Sequence, residues 1–172
     1  MGKFIAGVVF AVAAFIIAML YYSRGGYMAV NADATPSGIE HWAANNALDA
    51  SVERQAPRND NPVPKTDVNL IDGMKLYLMN CSLCHGGLDR KRNKLGEAFY
   101  PPAPQILVRG LHDPEWHIFF VIKHGVRLTG MPAWDKVMSD DDLWKITAFL
   151  HQINQLPPAV EQQRKQALGA TD

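Results

Sequence analysis

A chain of 172 residues is long enough for one ordinary globular domain with additions and too short for two large cores. Its 17 Lys and Arg balance 17 Asp and Glu, so the net charge is zero and no nucleic-acid partner is expected.

The first element is apolar. Residues 4–22, FIAGVVFAVAAFIIAMLYY, contain no charge, and as a helix they span roughly 28 Å, against a hydrocarbon core of about 30 Å. They are read as an N-terminal transmembrane anchor over residues 1–23, with Tyr21 and Tyr22 at an interface. Lys3 and the α-amino group favour a cytoplasmic N-terminus, although Arg24 on the far side weakens the asymmetry. A cleaved signal peptide is the rival, because Ala32-Asp33-Ala34 has the small-x-small pattern of a processing site. Against it, the apolar run exceeds the usual core of about 7–15 residues, and the triplet lies well beyond its end. A buried core helix fits less well, since the run has no polar face.

Residues 24–66 read as an extracytoplasmic linker or extension. It opens on Gly25-Gly26 and closes on ERQAPRNDNPVPK, where Pro57, Pro62 and Pro64 oppose regular structure. Within it, Ser37-Gly38-Ile39-Glu40 forms a capping box ahead of a short helix near 38–53, with Trp42, Leu48 and Val52 near one face. A solvated spacer is the alternative reading. The segment from Val68 to Asn80 places Leu70, Met74, Tyr77 and Leu78 at helical spacing and runs into the first cysteine. From Gly86 to Gly110, with prolines at 101, 102 and 104, the chain is expected to be mainly loop. Asp113 as N-cap, Pro114 at the first helical position and Gly125 as the stop bracket a second helix. Ser139 ahead of three aspartates opens a third, closed by Pro157-Pro158. The polar tail, residues 158–172, lacks a core-facing stripe and is expected to fray. No repeat and no strand-like alternation is found.

The chemistry concentrates at Cys81-Ser82-Leu83-Cys84-His85. Two cysteines placed at random among 172 positions would give C-x-x-C followed by one of six histidines about once in 2,500 sequences. The physical reading is covalent haem attachment: both thiols add to porphyrin vinyl groups, and the adjacent histidine ligates the iron. A thioredoxin-like pair would need a βαβ context, a zinc site a second ligand pair, and a plain disulfide would leave His85 unexplained. Opposite His85 the sequence offers Met131, in Gly130-Met131-Pro132, as sixth ligand. A core methionine is the alternative, Met138 is the nearest competitor, and His112, His117 and His124 are competitors of other chemistry. A His/Met pair closes both axial positions, raises the potential and suits electron transfer.

With those residues in view, the stretch from Val68 to Leu156 resembles a class I cytochrome c, of the membrane-anchored bacterial type. The shared features are Gly73 and Tyr77 before the attachment motif, Cys81 to Gly86, the proline-rich loop, Gly130-Met131-Pro132-Ala133-Trp134, and a final helix with Trp144 and Phe149. The resemblance implies an all-α fold, three main helices around one covalently attached haem c, over residues 67–157. It implies that first and last helices cross where Gly73 meets an aromatic residue. It also implies that a proline-loop carbonyl, from Pro101, Pro102 or Pro104, holds the ring nitrogen of His85. The segment from Ser37 to Lys65 has no place in the minimal fold and resembles the extension of some anchored bacterial cytochromes, which would pack on the haem domain.

The same resemblance places the haem domain on the periplasmic or outer side of a bacterial cytoplasmic membrane. It implies an electron carrier rather than an enzyme. The donor would be a quinol-oxidising complex or dehydrogenase, and the acceptor an oxidase or another cytochrome. The alternatives are a fixed haem subunit of a larger oxidoreductase, with an ordered extension as interface, and a haem sensor or peroxidase, which would need Met131 absent or labile. Arg90, Lys91, Arg92, Lys94, Lys123, Arg127 and Lys136 would steer acidic partners if they ring the haem edge, and are otherwise a solvated loop surface.

Overall fold

The computed structural model describes residues 1–169, and the described residues are all-α, with no strand. The chain divides into two compact units, Met1–Ala34 and Thr35–Asp172.

The first unit is one helix and a short turn. Helix α1 (Gly2–Arg24) is long and apolar enough to cross a membrane, and none of it is buried within the protein. Its apolar side chains, Phe4, Phe10 and Phe15 among them, are exposed all round. Tyr27 stacks on Tyr22 with ring centroids 5.9 Å apart, folding the turn back on the helix end.

The second unit opens with α2 (Gly38–Gln55), started by Ser37, whose hydroxyl accepts from the Glu40 N–H. The reciprocal half of the expected capping box is not made: the Glu40 carboxylate accepts from the Tyr100 hydroxyl at 2.6 Å. Val52 is buried and Leu48 half-buried, whereas Trp42 is 66% exposed, contrary to the face read from the sequence. Ten residues at about 100° each leave Trp42 roughly 80° away from Val52 around the helix.

The segment after α2 is irregular but packed. Arg58 lies over the Trp116 ring at 5.3 Å, the Asn61 amide donates to the Trp144 carbonyl at 3.3 Å, Val63 is buried, and Lys65 pairs with Glu115 at 3.0 Å. Prolines remove hydrogen-bond donors and fix φ, which prevents helix or strand without preventing an extended strap from lying on a core.

The core is built by α3 (Asp67–Asn80), α7 (Glu115–His124) and α8 (Asp140–His151). Three short elements lie between α3 and α7: α4 (Ser82–His85), α5 (Lys94–Glu97) and α6 (Ile106–Arg109). Thr66 caps α3 and Ser139 caps α8, each hydroxyl accepting a backbone N–H three residues on. Met74 and Tyr77 of α3, Ile118 and Ile122 of α7, and Leu143, Ile146, Phe149 and Leu150 of α8 form one cluster. A Cβ on Gly73 would stand 2.1 Å from the Lys145 carbonyl oxygen, so α3 and α8 touch backbone to backbone there. Tyr77 meets Phe149 at 5.8 Å beside that crossing. Phe119 of α7 stacks on Trp144 at 3.8 Å and 4°.

Two expectations need correction. Asp113 does not cap α7: extended Pro114 (ψ 151°) occupies the N-cap, and Asp113 faces His117 at 4.0 Å. A proline at that position starts the helix one residue later than the sequence pattern suggested. The segment expected to fray forms α9 (Pro158–Gly169); residues 170–172 lie outside the described residues. Val160, buried against Leu70 and Ala148, secures its start, and Ala167 and Leu168 pack against the main core cluster near its end. Arg164, its side chain 13% exposed, pairs with Glu161 at 2.7 Å and donates to the Leu88 carbonyl at 2.5 Å. Between Val160 and Ala167 the intervening turn is polar, so the apolar face is interrupted and periodicity misses this helix.

Candidate haem site

Helix α3 ends at Asn80 because Cys81 takes the C-cap position, and the chain re-enters a single helical turn, α4. That turn carries Cys84 and His85, so both thiols and the imidazole arise within five residues. Both cysteines are free thiols. Burial, reinforced by the neighbouring Cys84, pushes the Cys81 thiol up to about 12, so it is neutral at ordinary pH.

His85 is buried, and its Nδ1 donates to the Pro104 carbonyl at 2.9 Å. A carbonyl can only accept, so Nδ1 carries the proton and Nε2 keeps its lone pair. Burial holds the imidazole pKa below its ordinary 6.5, partly opposed by the Pro104 bond, which keeps the ring neutral and ligand-competent. Pro101 and Pro102 are exposed and make no bond to His85.

The neighbouring loops are pinned by buried polar groups. Tyr77 donates to the Gly86 carbonyl at 2.7 Å, and burial raises its phenol well above the usual range. A Cβ on Gly96 would fall 1.8 Å from the Cys84 carbonyl oxygen, so only glycine lets α5 close on α4. Gln105, also buried, donates from Nε2 to the Cys84 and Ala103 carbonyls at 3.0 Å each and accepts from the Asn93 N–H at 2.7 Å. Sequence reasoning missed Gln105. Its only signal is a polar residue between Pro104 and the apolar Ile106-Leu107, which reads as loop surface.

Met131 is half-buried against the main core cluster. The turn before it closes on itself: Thr129 Oγ1 donates to the Val126 carbonyl at 2.7 Å and accepts from the Met131 N–H at 3.1 Å, while Val126 N–H donates to the Met131 carbonyl at 3.2 Å. Gly125 (φ +66°) lies where a Cβ would reach the Pro132 backbone at 2.5 Å, so α7 must stop on glycine for the loop to return. A single-turn 3-10 helix, η1 (Trp134–Lys136), follows. Met138 also packs on the core. Of the histidines, His112 is exposed, His117 faces Asp113, and His124 packs on the Phe120 ring at 4.5 Å.

The basic residues do not act as one patch. Arg90 donates to the Ile153 carbonyl at 2.8 Å, Lys91 pairs with Asp89 at 3.8 Å, Arg92 with Glu97, and Lys123 with Asp140 at 2.7 Å. Lys94, Arg127 and Lys136 are exposed and belong to none of the ion pairs among the described residues.

Two free thiols and a neutral imidazole with a free Nε2 on one turn form the donor set that covalent haem c requires. Among the described residues no group of three or more His, Cys, Asp or Glu is placed to hold a metal ion.

Residues 69–150 match the family model described as cytochrome c oxidase, cbb3-type, subunit III. No curated protein matches the chain. Among solved structures, a chain of the Kuenenia stuttgartiensis reducing HAO-like protein complex shares 21% identity at a TM-score of 0.46, over 56% of this chain and 50% of that one. This chain thus spans about half the length of that neighbour. The family match over residues 69–150, the all-helical fold of the described residues and the C-x-x-C-H turn agree on a c-type cytochrome domain of class I fold that binds haem c covalently.

Proposed function

We propose that the protein transfers electrons as a membrane-anchored cytochrome in which Cys81 and Cys84 hold the haem through thioether bonds, and His85 and Met131 are the axial ligands of its iron. The observation that carries this reading is the 2.9 Å bond from His85 Nδ1 to Pro104, which fixes the tautomer and leaves Nε2 as a donor. When bound, haem c supplies a one-electron iron centre. The chain supplies its setting. Tyr77, Gly96 and Gln105 fix the attachment turn, and the Val126–Met131 turn presents the thioether. A methionine opposite a histidine closes both axial positions, which suits electron transfer and opposes oxygen or peroxide chemistry.

Helix α1 is the anchor in this reading, and residues 67–157 are the haem domain, on the periplasmic side, because bacterial c-type haem is attached outside the cytoplasm. Donor and acceptor are redox proteins: a quinol-oxidising complex or dehydrogenase on one side, an oxidase or another cytochrome on the other. The test is the optical spectrum of the ferric protein before and after Met131→Ala. The weak far-red band of methionine-bound ferric haem should be present and then lost. Its absence from the unaltered protein overturns the His/Met assignment, and ready carbon monoxide binding to the unaltered reduced protein would favour a sensor or peroxidase.

One observation favours the second reading, a fixed haem subunit. Residues 35–66 belong to the same compact unit as the haem domain, strapped by Arg58, Asn61, Val63 and Lys65, so only residues 25–37 separate α1 from α2. The matching family model is itself described as an oxidase subunit. Purification in mild detergent distinguishes the two: a carrier elutes as a monomer, a subunit with its partners.

A further inference from the structure

The bond from His85 to Pro104 has a counterpart running the other way. His85 Nδ1 donates to the Pro104 carbonyl at 2.9 Å, and the Gln105 side chain donates to the Cys84 carbonyl at 3.0 Å. Consecutive residues on one segment, 84 and 85, are therefore joined by two reciprocal hydrogen bonds to consecutive residues on another, 104 and 105. One bond alone would leave the Pro104 peptide free to swing about it, and with it the direction in which the imidazole is held. A second bond anchored one residue away removes that freedom.

Gln105 is itself over-determined. Its Oε1 accepts from the Asn93 N–H at 2.7 Å and its Nε2 donates also to Ala103, so the amide has no alternative orientation that satisfies its neighbours. It is 3% exposed, and Gly96 covers it so closely that a Cβ there would stand 2.7 Å from Nε2. Water cannot readily substitute for it. The main-chain accounting agrees: without Gln105 the Cys84 carbonyl and the Asn93 N–H would each lose a side-chain partner in a buried site.

We infer that Gln105 is a positioning residue: by locking the 84–85 and 104–105 dipeptides together it sets the imidazole plane of His85 and the strength of the Nδ1 bond, and so tunes the iron. This rests on the proposal that His85 is an axial ligand. A carbonyl accepting from Nδ1–H gives the ring partial imidazolate character, which favours ferric iron. Loosening that bond favours the ferrous state.

The test uses the full-length holoprotein. Gln105→Met keeps length and apolar volume but makes none of the hydrogen bonds; Gln105→Glu keeps the acceptor for Asn93 but loses the donor to Cys84 at neutral pH. Thr147→Val is the control, since it removes a buried hydrogen bond, to the Leu143 carbonyl within α8, away from the attachment turn. At a fixed ambient potential the ferrous-to-ferric ratio of Gln105→Met should rise about threefold or more, within the range of one weakened hydrogen bond, with altered g-values in the ferric electron paramagnetic resonance spectrum. Thr147→Val should leave the ratio and g-values unmoved. If Gln105→Met leaves both readouts unchanged, or shifts them no more than Thr147→Val, the inference is overturned. If it does not retain haem, Gln105→Glu decides: altered g-values support the inference, unaltered ones overturn it. A wild-type spectrum lacking histidine ligation would instead overturn the underlying assignment.

Discussion

The two loops expected to face opposite sides of the haem are held in different ways. On the histidine side, residues 86–105 are fixed by buried groups from distant parts of the chain: Tyr77 on Gly86, Gln105 on Cys84, Pro104 on His85, and Gly96 in backbone contact with Cys84. On the methionine side, the hydrogen bonds of the turn at 126–131 are its own, from the Thr129 hydroxyl and one main-chain pair, while Gly130 lies against the Phe99 ring and Met131 against the core cluster. It also leaves Leu128 (φ +62°) 87% exposed and the nearby Val137 71% exposed. The hydrogen bonds that fix the histidine are thus tertiary, whereas those that present the methionine are local to its turn. Changes on the first side should show as loss of folding or haem attachment, and changes on the second as ligand lability with the fold intact.

The harshest way to break the contrast is Gly96→Ala. A methyl 1.8 Å from a backbone carbonyl cannot be absorbed by a side-chain rotation, and the cost should be about 3 kcal/mol or more. The expected outcome is loss of haem-bearing protein, read from haem content after purification. Tyr77→Phe keeps the ring against Phe149 but strands the Gly86 carbonyl, at a cost of about 1–3 kcal/mol in denaturant unfolding.

Thr129→Ala should cost only about 1 kcal/mol, because water can reach a half-buried turn. Its signature should instead be weakening of the far-red band and faster carbon monoxide binding to the reduced protein. If stability falls as far as in Tyr77→Phe with the far-red band intact, the contrast between the loops is wrong.

The mildest perturbation is pH. The His85 pKa lies below 6.5 in the folded protein because of burial, so the unfolded chain takes up the proton first as pH falls. In the haem-free protein this contribution to stability is complete above about 6.5 and declines below it, while the buried ring stays neutral past that point. Denaturant midpoints of the haem-free protein should be lower at pH 5 than at pH 7.5; an equal or higher midpoint at pH 5 would contradict it.

The local features were legible because their signals are local. Ser37 and Ser139 as caps, the apolar run of α1, and the five residues of the attachment turn each depend on neighbours in sequence, so spacing and composition were enough. Asp113 and Trp42 show the limit even there, since one proline moved a helix start and an 80° offset took an indole out of the core. The sequence by itself therefore determined that the chain bears attached haem c on an all-α domain behind an apolar helix. Only the tertiary structure decided which proline carbonyl meets His85, that Gln105 returns the bond, that residues 35–66 belong to the haem unit, and that Pro158–Gly169 is a helix. Each of those rests on atoms brought together across tens of residues by burial and by the need to satisfy buried polar groups, and neither requirement leaves a period in the sequence.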